Sequence, residues 1–141
     1  MSQRPFKILG IEHIGIAVDD LNGVADFFGD LLGLELRKRE KIADQQVITD
    51  IYHTEKGKLE FLKATDDNSP ISRFIEKKGL GMHHIALQVD NIQMALDYLK
   101  GQGIQLIDEK YRIGAEGYKI AFIHPKSTRG ILIELSEQED V

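Results

Sequence analysis

"GMHHIALQVDNIQMALDYLKGQGIQLI" (Gly81–Ile107) repeats an earlier stretch of the same chain, "GIEHIGIAVDDLNGVADFFGDLLGLEL" (Gly10–Leu36). Glycine, histidine, isoleucine, valine and aspartate recur in register at an offset of 71, with His13 under His84. Further on, "HTEKGKLEFL" (His53–Leu62) is echoed by "HPKSTRGILIEL" (His124–Leu135), the second copy having a loop three residues longer. Shared length, order and polar positions mark two copies of one supersecondary unit, a signal that decides the fold before any single residue is weighed.

Each copy reads as strand, helix, then three strands. "HIGIAV" and "HIALQV" are apolar runs rich in branched residues, which suits strands. Asp19 or Asp20, and Asp90 or Asn91, can cap the helices that follow. Leu21, Val24, Phe27, Phe28, Leu31 and Leu32 form the apolar face of a first helix closed by Gly33. Ile92, Ala95, Leu96 and Leu99 do the same for a helix ending at Gly101 or Gly103. Short strands are expected near Glu35–Lys41, Val47–Tyr52 and Lys58–Lys63, then near Ile104–Ile107, Tyr118–Ile123 and Ile131–Leu135. Between the copies, "SPISRFIEKKG" predicts a helix with Ser69 as N-cap, Pro70 in its first turn and Gly79 past its end. The expected organisation is one domain over residues 1–141. Module 1 spans about 8–64, a linker helix about 69–79, and module 2 about 81–136. The fold class is α+β: two tandem βαβββ modules forming a cupped mixed sheet around a metal site.

Composition narrows the functions open to such a fold. The chain has 141 residues, 42% hydrophobic and 29% charged, as in ordinary soluble globular domains. A net charge of -5 argues against nucleic-acid binding. Cysteine is absent, which removes disulfides, thiolate metal sites and thiol nucleophiles. No apolar run reaches membrane-spanning length, and "MSQRPFKILG" lacks a signal-peptide core, so no membrane partner and a cytoplasmic location are expected.

The tandem histidines His83 and His84 cannot share a role, because successive strand residues point to opposite faces. His84 is the one in register with His13. His13 shares its face with Gly15 and Ala17, and His84 shares its face with Ala86 and Gln88, so small or polar neighbours leave room there. His83 falls on the apolar side and reads as an ordinary half-buried histidine. In the last strand of each module an acid interrupts the apolar run, Glu60 in "KLEFL" and Glu134 in "ILIEL". A lone glutamate there would read as a solvated side chain. Two at repeat-equivalent positions, each matched to a histidine, form a nitrogen–oxygen donor set suited to a borderline divalent ion. His13, Glu60, His84 and Glu134 are the expected metal ligands.

Paired modules with ligands on their first and last strands resemble the vicinal oxygen chelate superfamily, which includes glyoxalase I, extradiol dioxygenases and fosfomycin-resistance proteins. The resemblance is closest to its methylmalonyl-CoA epimerase family. It rests on "HIGIAVDDL", on "DNSPISRFIEKKGLGMHHIALQVDNI", and above all on "IDEKYRIGAEGYKIAFIHPKSTRGILIEL". It implies one divalent cofactor (cobalt, zinc, nickel or manganese), an acyl-CoA substrate, a homodimer, and epimerisation by α-proton transfer through an enolate. Glu134 is the expected catalytic base, and Lys126 and Ser127 in "HPKST" the expected substrate contacts, with Arg112 a weaker one. In one respect the chain departs from the family: Thr49 stands where some members place a catalytic glutamate. Asp50 beside it would face the other way unless a bulge shifts the strand. A glyoxalase-like lyase or isomerase, or a metal-free antibiotic-binding protein, is the alternative on the same fold.

Overall fold

The computed structural model describes residues 3–138. It divides into two compact units, the first formed by His13–His83 and the second by the residues up to Glu12 together with those from His84 on. The chain order is β1 (Ile8–Ala17), α1 (Leu21–Val24), β2 (Glu35–Ile42), β3 (Val47–Thr54), β4 (Gly57–Ala64), α2 (Pro70–Lys78), β5 (Gly81–Val89), α3 (Ile92–Gly101), β6 (Arg112–Ile113), β7 (Lys119–Ile123) and β8 (Ile133–Glu137). This is the α+β arrangement of two strand–helix–three-strand repeats that the sequence implies.

In the first unit the strands run β2-β3-β4-β1, with β3 antiparallel to both neighbours and β4 parallel to β1. In the second they run β5-β8-β7-β6, again with the outer pair β5–β8 parallel and the rest antiparallel. A parallel pair needs a crossover, and each unit supplies it by chain that includes a helix and two other strands. The repeat in sequence is therefore a repeat in topology.

Local chemistry fixes the helix starts. The Asp20 carboxylate accepts hydrogen bonds from the Asn22 and Gly23 amides, and Asn91 Oδ1 accepts one from Met94. These satisfy N–H groups that no turn of helix can reach. Asp90, the other candidate, accepts the Lys7 amide at 2.8 Å and ties the N-terminal segment to the second unit. Ser69 caps α2 at Ile71, Pro70 occupies its first turn, Lys77 and Lys78 its last, and Gly79 ends it at φ 82°.

Two expectations need correction. The first helix is α-helical for one turn only and then widens over Ala25–Leu31, where the Leu32 amide bonds back to Phe27 five residues earlier. Each wide turn takes up an extra residue and shifts the phase of the helix face. Phe28 consequently packs against Phe61, while Phe27, Leu31 and Leu32, expected inside, are exposed. The strand expected over Ile104–Ile107 is only a single bridge, Leu106 to Ile123. Asp108 explains its brevity: its carboxylate accepts the Phe122 amide, taking a ladder position that another strand residue would fill. The fourth strand of the second unit is Arg112–Ile113.

The helix-facing cores differ in make-up. In the second unit Ile92, Ala95 and Leu96 of α3 pack on Val89, Ala121, Ile123 and Leu135, with Phe6 joining them. Each buried Ile or Leu there contributes about 1.5–3 kcal/mol. In the first unit Leu21 and Val24 meet the rings of Tyr52 and Phe61. A separate cluster joins Ile71, Phe74 and Ile75 of α2 to Ala17, Val47 and Leu62 on the opposite sheet face.

Candidate active site

The parallel strand pairs build one histidine–glutamate pair in each unit. Register places Glu60 of β4 opposite Gly15 of β1, and Glu134 of β8 opposite Ala86 of β5. Each small residue lies two positions after the histidine, on the same face. With no bulk above it, the glutamate side chain can lean back one pleat and meet the imidazole. His13 Nδ1 lies 3.1 Å from Glu60 Oε2, and His84 Nε2 lies 3.3 Å from Glu134 Oε1. All four residues are buried, between 5% and 6% exposed.

Buried carboxylates are costly unless paired, and a buried imidazole facing a carboxylate is a frequent metal-ligand arrangement. The imidazole nitrogens and carboxylate oxygens of both pairs are among the buried donors able to hold an ion. Their chemistry fits a borderline divalent metal. Two buried hydroxyls share these faces. Thr49 of β3 pairs with Leu62, two residues beyond Glu60, and Ser136 follows Glu134 by two. Neither Thr49 Oγ1 nor Ser136 Oγ has a hydrogen-bond partner among the described residues. Buried polar groups are seldom left so, and a bound polar molecule would satisfy them.

His83 is apart from this chemistry: it is half-buried and packs edge-on against Phe74 of α2 at 4.7 Å. Asp50 also faces away. The β3–β4 ladder runs without a bulge from Val47 to Thr54, so Asp50 lies on the helix side, opposite Phe61. There it accepts two hydrogen bonds from Arg39, Nε to Oδ1 at 2.6 Å and Nη2 to Oδ2 at 2.8 Å. The carboxylate raises the Arg39 pKa further above its usual value, by that hydrogen bond first and by charge second. Neighbouring Tyr52 is buried, and burial above all pushes its phenol pKa up, with the Asp50 charge adding to it.

Among the expected substrate contacts, Lys126 is exposed in a short turn over Pro125–Ser127. Ser127 also serves the fold, its Oγ accepting the Gln105 amide at 2.9 Å. Arg112 sits over the Phe122 ring, centroid 5.7 Å away, and Phe122 is edge-on to His84 at 5.6 Å. Two buried charged residues escaped the sequence reading, Glu12 and Lys58. Both carried a signal: Glu12 is an acid inside the apolar run "ILGIEHIGIAV", and Lys58 is two residues before Glu60, hence on its face.

The chain belongs to the Glyoxalase/Bleomycin resistance protein/Dioxygenase superfamily, which matches it over residues 12–122. Within that class several of its relatives are methylmalonyl-CoA epimerases. It is 36% identical over 128 residues to the mitochondrial methylmalonyl-CoA epimerase of Homo sapiens, spanning 90% of this chain and 73% of the human one. It is 34% identical over 129 residues to the ethylmalonyl-CoA/methylmalonyl-CoA epimerase of Cereibacter sphaeroides, spanning 90% and 96%. A solved methylmalonyl-CoA epimerase in complex with methylmalonyl-CoA and NH4+ superposes with a TM-score of 0.88 at 28% identity, over 96% of this chain and 98% of that one.

Proposed function

We propose that this protein is a metal-dependent epimerase of methylmalonyl-CoA, and that the matched, buried His13–Glu60 and His84–Glu134 pairs carry the activity. Membership among methylmalonyl-CoA epimerases supports the reaction, and the repeat of the donor pairs supports the metal. One divalent ion, held by His13, Glu60, His84 and Glu134, would supply positive charge beside the thioester and carboxylate oxygens as the α-carbon loses its proton.

The chain's own residues do the rest. His13 and His84 would offer ring nitrogens to the ion, and Glu60 a carboxylate oxygen. Glu134 takes the proton from the α-carbon at a carboxylate oxygen, a role worth roughly 10²–10⁴-fold in rate for a well-placed base. A proton returned to the opposite face completes the inversion. Asp50 is not the group that returns it, because it is turned to the helix side and occupied by Arg39. Lys126 and Ser127 would contact an anionic group on the substrate. The working form in this reading is a cytoplasmic homodimer. Ile8, Leu9 and Ile11 at the start of β1 are half exposed or more, surface that a second copy would cover.

The test is deuterium uptake at the α-carbon of methylmalonyl-CoA in heavy water, run with the pure protein beside a glutathione hemithioacetal. Exchange and epimerisation of the acyl-CoA, with the hemithioacetal untouched, are expected. Turnover of the hemithioacetal alone would replace this reading with the glyoxalase-like one.

A further inference from the structure

Arg112 stands on the same face of the second unit as Glu134. Residues paired directly across a sheet share a face, so the ladders put Arg112, Ile120 and Ser136 in one row and Phe122 and Glu134 in the next. From the start of β6 the Arg112 side chain lies over the Phe122 ring, its Cζ 5.7 Å from the centroid. That ring in turn meets His84 edge-on at 5.6 Å. One aromatic ring therefore separates the guanidinium from the His84–Glu134 pair. Asp108 steadies it from another side, Oδ1 lying 3.7 Å from Arg112 Nε, which is longer than a hydrogen bond, while Oδ2 accepts the Phe122 amide. The side chain is still 41% exposed. An arginine held flat on an aromatic ring is pre-organised to offer two parallel N–H donors to a carboxylate.

We propose that Arg112 recognises the free carboxylate of a malonyl-type thioester, so that the second unit's face accepts these over acyl thioesters that lack a second acid. This rests on the acyl-CoA reading above and names the group that sets its substrate class. The Glu134 carboxylate gives this face negative charge, and a substrate anion brought beside it is repelled unless a cation accompanies it. Arg112 is a cation on that face, and a guanidinium keeps its charge at any working pH. The free carboxylate is bonded to the α-carbon, whose proton goes to Glu134, so neighbouring side chains must meet the two groups. The phosphates of the coenzyme are many bonds from that carbon and lie farther from Glu134. Phe122 serves as the platform that holds the guanidinium in place.

The experiment is calorimetric binding of malonyl-CoA, acetyl-CoA and S-malonyl-pantetheine to the metal-loaded full chain, to R112Q and to R112K. The first two differ only by the carboxylate, and the third keeps the carboxylate without the phosphates. R112Q should lose roughly 10- to 100-fold in affinity for both malonyl thioesters, the worth of a hydrogen bond to a charged group, and hold acetyl-CoA within about twofold of wild type. R112K keeps the charge without the planar fork and should recover only part of that loss. Equal losses for malonyl-CoA and acetyl-CoA, with S-malonyl-pantetheine unchanged, would assign Arg112 to the phosphates and overturn the proposal. Equal losses for all three probes, or none for the malonyl ones, would overturn it as well, and in each case the acyl-CoA reading stands. Wild type that binds none of the three would overturn that reading and the proposal with it.

Discussion

The two units have kept the same strand order and a buried histidine–glutamate pair at equivalent positions, through Nδ1 of His13 and Nε2 of His84, yet their remaining residues have diverged. Asp50 and Tyr52 line the helix side of β3, where the equivalent positions of β7, opposite Leu135 and Ile133, are Ala121 and Ile123. On the ligand side, Lys58 corresponds to Leu132. The second unit keeps its helix-side core apolar, whereas the first holds the ion pair, a buried phenol and the buried lysine. Each unit keeps its own histidine–glutamate pair, and these added polar groups belong to the first alone. The polar additions on the first unit's helix side have to be structural, because they cannot reach the ligand face.

The largest expected effect tests the part that the units share. His13→Ala and His84→Ala should each strip the bound metal and abolish activity, measured by elemental analysis and epimerisation assay. His83→Ala should keep near-normal metal content, since its ring packs on Phe74. Metal loss from the His83 variant with retention in the His84 variant would mean a register slip of one residue, which reverses every facing in the strand.

A middling effect tests the divergence. Asp50→Asn should leave kcat/KM within a few-fold of wild type but lower stability to urea by about 1 kcal/mol, the cost of weakening a charged hydrogen bond whose arginine is half exposed and screened by solvent. A loss of activity near the general-base factor, roughly 10²–10⁴-fold, with metal retained would place Asp50 in the reaction.

How much of this could be read in advance depends on what each residue's signal was. The repeat, the caps and the shared facing of each histidine–glutamate pair were legible because they follow from period and position: Ser69 before Pro70, Gly79 after Lys78, His84 in register with His13. The facing of Asp50 was legible by the same alternation. The widened turn after α1 was not, since a single extra residue per turn leaves the apolar pattern of Phe27, Phe28, Leu31 and Leu32 looking like an unbroken helix. Nor was the loss of the strand at Ile104–Ile107. That depends on Asp108 reaching the Phe122 amide, a contact between residues that no local pattern connects. Lys58 was legible in principle, but a lysine in an alternating strand ordinarily reads as solvated.

The smallest effect concerns the first unit's phenol. Tyr52 Oη has no hydrogen-bond partner among the described residues, so Tyr52→Phe should change stability near neutral pH very little. In the folded protein the phenol pKa lies above the ordinary value of 10.0, so the folded state holds the proton more tightly than the unfolded chain. This contribution is intact below the unfolded pKa, about 10, and is lost as pH climbs through the folded value. Tyr52→Phe should therefore flatten the fall in stability above that pH in denaturant titrations. An unchanged alkaline profile would assign the fall to other groups.

The account's central claim is that Glu60 and Glu134 are equivalent as ligands but only Glu134 moves the proton. Glutamine keeps an oxygen able to ligate but cannot accept a proton as a carboxylate does. The direct measurement is deuterium uptake from heavy water into methylmalonyl-CoA by Glu60→Gln and Glu134→Gln, with metal content determined on the same samples. The account predicts that Glu60→Gln keeps its metal and much of its exchange, and that Glu134→Gln retains at least part of its metal while exchange falls to background. Equal, mild loss of exchange in both metal-bearing variants would contradict it.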